Sequence, residues 1–211
     1  MNPTDSPARR LLARAPGKLA TRAAALTVAL VAAAGLATAA GSTTQAVTSS
    51  FSFKLVPGAG IAACLPSASG HVRITTGSLN DTMVVSVSGM PANAGFDLFV
   101  IQQPTAPFGI SWYQTDLQAN STGSGSATVR GVFDSETFSV SPGGTTTFAP
   151  THQYHLGLWF NDPQVPFNLG CEPGATSPTI TPFNGEQSAG IQALNTSNFP
   201  VAAGPLSHVH R

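Results

Sequence analysis

Beyond residue 50, glycine, proline, asparagine and serine cut the chain into short runs, and most of those runs alternate apolar with polar residues. In "FSFKLV" (51–56), Phe51, Phe53 and Leu55 take one parity, and Ser52 and Lys54 fall between them. Successive strand residues point to opposite faces, so this is the signature of a half-buried strand. "HVRITT" (71–76), the turn "GSLND" (77–81) and "TMVVSVS" (82–88) read as a β-hairpin. "FDLFVIQ" (96–102) is almost continuously apolar, as a central strand covered on both faces would be. "WYQTDLQA" (112–119), "SATVRGVF" (126–133), "ETFSVS" (136–141), "YHLGLWF" (154–160) and "GIQALNT" (190–196) complete the series, and no run has the length and period of an ordinary helix. About eight to nine short strands with turn chemistry between them predict an all-β domain. The expected form is a single β-sandwich, immunoglobulin-like, with a jelly roll or small barrel as runner-up.

The first 40 residues are of another kind. Arg9, Arg10, Arg14, Lys18 and Arg22 precede an alanine-rich apolar run, 23–40, that closes on Ala37-Thr38-Ala39. A basic region, an apolar region and a small-residue site together predict a secretory signal peptide over 1–40, cleaved after Ala39 or Ala40. A membrane anchor ranks second, because the run is interrupted by Thr27, Gly35 and Thr38 and a span needs about 20 strongly apolar residues. Arg9-Arg10 raises a twin-arginine route that the spacing does not support, so the choice of export route stays open. The expected organisation is then a flexible tail over 41–50, the β domain over 51–200, and a C-terminal tail over 201–211. The mature chain is expected outside the cell.

Loss of the leader changes the charge. Five of the nine basic residues lie in it, leaving Lys54, Arg73, Arg130 and Arg211; eight acids remain once Asp5 is gone, for a net charge near −4. Nucleic-acid binding needs a basic surface to neutralise phosphates, so that class of partner is excluded. No second apolar run is long enough to span a bilayer.

Cys64 and Cys171 are the two cysteines. In an exported chain they are expected to form one disulfide, closing a loop of about 107 residues, the difference between the two positions. Without a CxxC spacing, a metal-binding thiol pair is a poor rival. The irregular stretch 161–188 is too long for a simple connection, and Cys171 in its middle marks it as the segment the disulfide pins.

"HQYHLGLWFNDP" (152–163) holds His152 and His155 three apart. In one regular strand an odd separation sends them to opposite faces, so they cannot grip one ion. A structural role follows for this run, with Leu158 and Phe160 in the core and His155 hydrogen-bonded. His208 and His210 share a parity in extended backbone and, with His155, are the weak candidates for a Cu(II) or Zn(II) site. The competing expectation for the C-terminal pair is a solvated tail.

No G-x-S-x-G elbow is present. Acid pairs for glycoside cleavage would have to come from Asp134, Glu136, Asp162, Glu172 and Glu186. No catalytic residue is assigned and no cofactor is expected. The best binding candidate is the aromatic loop "APFGISWYQ" (106–114): Phe108, Trp112 and Tyr113, with Gln102 and Gln103 close by. Aromatic faces beside amides can hold sugars or peptides. Asn184 and Glu186, in a polar segment next to Phe183, join this list.

"GFDLFVIQ", "APFGISWYQ", "YHLGLWFN" and "TPFNGEQSAGIQALNTSNFP" resemble stretches of uncharacterised exported bacterial proteins, over most of the mature chain. The resemblance implies a bacterial exported protein and carries no activity or site residue with it. The expectation is therefore a non-enzymatic extracellular domain that binds a cell-wall, glycan or matrix component through its loops. The alternatives are a secreted hydrolase acting on glycan or ester, and a histidine-based metal binder. The sequence does not fix the oligomeric state.

Overall fold

A computed structural model describes residues 49–133, 139–140, 147–148, 152, 154–183 and 186–209. The expected leader, Asp134, Glu136, Asn184, His210 and Arg211 lie outside those residues. The strands are β1 (Ser50–Pro57), β2 (Ser69–Thr75), β3 (Asp81–Ser88), β4 (Gly95–Ile101), β5 (Ser111–Gln118), β6 (Gly125–Gly131), β7 (Ser139–Val140), β8 (Thr147–Phe148), β9 (His155–Phe160), β10 (Thr181–Phe183), β11 (Glu186–Ala189) and β12 (Gln192–Asn195). Two very short helices, α1 (Ile61–Cys64) and α2 (Gln164–Asn168), and a 3-10 turn over Pro205–His208 accompany them. The all-β expectation holds.

Eight strands form one antiparallel array in the order β5-β4-β9-β12-β1-β2-β3-β6. β1 is the joint of this array. Its Ser50–Leu55 portion pairs with β2, and its last two residues, Val56 and Pro57, pair with β12. The strands at the two ends of the order, β5 and β6, are neighbours in sequence. The turn between them is held by Asn120, whose side chain accepts from the Thr122 and Ser124 N–H groups.

The alternation read from the sequence decides what is buried. Phe53, Leu55, Val72, Ile74, Met83, Val85 and Val87 point inward from β1, β2 and β3, and their polar neighbours face outward. β4 and β9 differ: every residue of β9, and every residue of β4 after Gly95, is buried or nearly so. One face, with Phe96, Leu98, Leu156, Leu158 and Phe160, joins the main core. The other face carries Phe99, Ile101 and Trp159 and forms a second cluster, capped by Ala189 at the end of β11 and by Phe108. Strands buried on both faces show continuous apolar sequence, and "FDLFVIQ" has that form.

Two expectations need correction. The stretch 161–188 is not simply irregular, since it contains α2, β10 and most of the β10–β11 hairpin. The segment 201–211 is not a free tail through Val209. Pro205, Leu206 and Val209 are buried, and the Leu206 N–H donates to the Tyr154 carbonyl at 3.3 Å. Those apolar side chains complete the core, and that burial outweighs the chain's preference to fray at its end. Among the described residues no helix is long and apolar enough to cross a membrane.

Candidate functional site

The strand β9 sets the floor of the site. Trp159 projects from its outer face, two residues from Gly157 on the same side. A Cβ on Gly157 would run into the Trp159 indole and the Gln192 amide. Glycine at this position lets the indole lie back along the strand. Gln192, on β12, is the ladder partner of Trp159.

A loop brings Phe108 onto this floor. Between β4 and β5 the chain reverses through Thr105–Gly109, with a cis Ala106–Pro107 bond. The Gln103 N–H donates to the Phe108 carbonyl at 2.8 Å, and the Phe108 N–H to the Thr105 carbonyl at 3.0 Å. Gln102 is buried beneath, and its side-chain oxygen accepts from the Ile110 N–H at 3.0 Å. Phe108 has φ 42, in the left-handed region that costs a non-glycine residue on the order of 1 kcal/mol or more. Its ring meets Trp159 edge to face, centroids 5.0 Å apart and planes at 81°.

The opposite wall is the segment after Cys171. Cys64 at the end of α1 and Cys171 form the expected disulfide, with Cα atoms 5.1 Å apart. Glu172 then organises the following loop. Its carbonyl accepts from the Ala175 N–H at 3.1 Å, and its Oε2 accepts from the Thr179 N–H at 2.9 Å.

Between these walls lies a cleft of about 520 Å³, lined by Phe108, Trp159, Ile191 and Ala175 as apolar surface and by Thr105, Thr179, Thr181, Glu172 and Gln192 as polar surface. Among the described residues, Glu172 Oε1 and Gln192 Nε2 are buried without a hydrogen-bond partner. The other end of each side chain is fixed, Glu172 Oε2 by Thr179 and Gln192 Oε1 by the Asn195 amide at 2.7 Å. Burying an unpaired polar atom costs roughly 1–3 kcal/mol.

The residues singled out from sequence divide. Phe108 lines the cleft. Gln102 braces the loop beneath it, and Gln103 closes the same loop through its backbone. Trp112 turns away and packs, half-buried, against the main core. Tyr113 is 55% exposed on the outer side of β5, with its ring edge-on to Phe99 at 5.8 Å. A bulge at Gln114, between the pairs Leu98–Thr115 and Phe99–Tyr113, lets the Tyr113 hydroxyl donate to Asp116 Oδ1 at 2.8 Å. Desolvation against its neighbours, then the Asp116 bond and charge and the Asp97 charge, push its phenol up to about 12. Asn184 lies outside the described residues; Glu186 pairs with Phe183 in the β10–β11 hairpin. Of these three rings, Phe108 lines the cleft, while Trp112 packs inside as an aromatic at the start of a strand can.

The described histidines lie apart from one another, and His210 is outside the described residues. His155 is fully buried, and the Val201 carbonyl at 2.9 Å requires its Nε2 to carry the proton. Its Nδ1 then accepts from the Thr196 hydroxyl at 2.9 Å. Neither nitrogen is left for a metal. His152 Nδ1 meets the Tyr154 hydroxyl at 2.6 Å, and the His208 ring lies edge-on to Phe51. Among the described residues no group of three or more His, Cys, Asp or Glu is placed to hold an ion. One carboxylate pair escaped the sequence reading: Asp97 and Asp116 are directly opposed across β4 and β5, with Asp97 also the ladder partner of Trp159, and neither is among the cleft's lining residues.

Trp159 was not read as a site residue from sequence, and Glu172 entered only among the candidate acids. Gly157 two positions before Trp159 was the available signal, since glycine on the same strand face leaves room for a large ring. No family model matches the chain, and neither the curated proteins nor the solved structures contain a match to it.

Proposed function

We propose that this chain is an exported bacterial β-sandwich protein that binds a cell-surface or extracellular component, without catalysis, in the cleft between the Phe108 loop and the Cys171 segment. The observation that carries the reading is a cleft of ligand size that sets an aromatic wall, Phe108 on Trp159, opposite polar lining from Thr179, Thr181 and Gln192. Ligand sites are mainly apolar concavities of roughly 300–1,000 Å³ with a few placed polar groups, and this cleft fits that description. Export is supported by the leader-like residues 1–40 and is in keeping with a disulfide. The sandwich reading is supported by two runs of pairing, β1-β2-β3-β6 and β5-β4-β9-β12, meeting at the strand that belongs to both. A non-catalytic role is favoured because Glu172 is the lone titratable side chain among the described lining residues, and His155 is sealed beneath Val201. Acid–base chemistry of the glycosidase type needs two carboxyl groups facing one bond.

The test is retention of the chain from residue 41 onward on insoluble cell-wall material and on immobilised glycans. The wild type is expected to be retained, and Phe108→Ala to lose at least about tenfold in affinity, since truncating an aromatic anchor costs 2 kcal/mol or more. Retention that is unchanged in Phe108→Ala would remove the cleft from the function.

A further inference from the structure

We infer that the outward face of β1, β2, β3 and β6 binds an acidic polysaccharide, whose carboxylates pair with Lys54, Arg73 and Arg130. Successive residues of a strand face opposite ways, so the positions between Phe53, Leu55, Val72, Ile74, Met83 and Val85 look out to water. Lys54, His71, Arg73 and Arg130 stand at outward positions, and all four are exposed. No Asp or Glu shares the face, since the one acid in these four strands, Asp81, is buried. Three of the four basic residues beyond the leader are thus gathered on one face of a chain whose net charge there is near −4. An anion is attracted at this face and repelled by the molecule as a whole, which fixes how it docks.

The spacing of the charges narrows the class. Lys54 and His71 are ladder partners, and Ser86 and Ser126 continue that row across β3 and β6. Arg73 lies one row along, between Ser52 and Val84, and Arg130 lies a further row along on β6, in line with Thr75 and Thr82. With strands about 4.8 Å apart and outward positions about 6.8 Å apart along each strand, neighbouring cationic positions are separated by roughly 5 to 12 Å. Exposed hydroxyls fill the gaps, among them Ser52, Ser69, Ser86, Ser88, Ser126 and Thr128. A shallow depression of about 300 Å³ opens between Lys54, His71, Ser69, Ser86 and Ser88, with room for a sugar residue. Sparse cations among dense hydroxyls match a polymer whose carboxylates are separated by neutral, hydroxyl-bearing carbons. Nucleic acid, with a phosphate about every 3.4 Å along each strand, calls for a denser basic surface. A lipid surface is disfavoured because, among the described residues, no exposed large apolar side chain stands at an outward position of these strands. One exposed ion pair is weak, but a polymer engages several at once. The depression shares no residue with the cleft beside Phe108, so the two sites stand or fall separately.

Affinity electrophoresis of the chain from residue 41 onward, in gels holding polygalacturonate or its methyl ester, tests this. The ester keeps the hydroxyls and loses the charge. The expected result is binding to polygalacturonate at least tenfold tighter than to the ester, weakening as salt rises. Lys54→Gln and Arg73→Gln should each weaken it at least threefold with the melting temperature unchanged, because both side chains are exposed. Arg211→Gln removes the same charge outside these strands and should bind as the wild type does. Equal binding of polymer and ester, binding of neither, or an equal loss in Arg73→Gln and Arg211→Gln overturns the inference. Duplex DNA and vesicles of anionic phospholipid are the competitors. Displacement of polygalacturonate by either at a lower mass concentration would assign the face to that partner and overturn the polysaccharide.

Discussion

Gly157 is the residue on which the site's floor depends. Adding one methyl group there forces Trp159 and Gln192 aside, and overpacking of this kind costs about 1–3 kcal/mol. Gly157→Ala should lower the unfolding free energy by that amount, seen as an earlier denaturant midpoint, shift tryptophan fluorescence, and weaken cleft binding in parallel. Tyr113 offers a second measurement at this scale. Its phenol is held near 12 in part by Asp116, through both a hydrogen bond and charge. Asp116→Asn should bring the Tyr113 titration down toward the ordinary value of 10, as read by phenolate absorbance. A titration unchanged in that variant would mean that burial and the Asp97 charge set it. His155 gives a pH dependence with a definite sign. Desolvation is the largest influence and lowers its pKa below 6.5, against the opposing effect of its backbone bonds. The unfolded chain therefore takes up a proton more readily than the folded one. Stability should be fully present above about pH 6.5 and fall as pH drops below that value. In His155→Gln the melting temperature is expected to be lower at neutral pH, and the decline assigned to this group should be absent. Melting curves across pH 5 to 8 read this out.

The elements differ in how plainly the sequence announces them. β1, β2 and β3 were legible because one face meets the core and the other meets water, which writes a period of two into the chain. β9 was legible as a strand, with Leu158 and Phe160 in the core and His155 hydrogen-bonded, as the structure has them. What covers that outer face was not legible. It is assembled from a loop, a hairpin and the C-terminal segment, each distant in sequence, and no local pattern encodes such a meeting. For the same reason Phe108 was found as an aromatic in a loop, while Glu172 and Gln192 were not recognised as its companions. The Cys64–Cys171 bond is the device that holds one wall of the cleft, since Cys171 and Glu172 are adjacent. Closing a loop of this length is worth on the order of 4–5 kcal/mol in the chain-entropy model. Replacing both cysteines by serine should lower stability by a few kcal/mol and reduce cleft affinity. Intact mass with and without reductant should differ by two protons in the wild type and not in the variant.

For the whole molecule, the order in which the chain is made and the order in which the sheet is laid down do not coincide. β12, at 192–195, is the last strand of the eight in sequence and lies in the interior of the array, between β9 and β1. β1, the first, can finish its pairing only when β12 is present. A chain ending at Gly190 should therefore lack a cooperative unfolding transition and disperse poorly in an amide NMR spectrum, although most of its core residues remain.

That placement acts as a clock. Until the final stretch has emerged, the two ends of β1 cannot both be paired, and the growing polypeptide has no closed state to fall into. Cys64 waits in the same way, without its partner until the segment that carries Cys171 has been made, so the bond closes around a loop that already holds most of the strands.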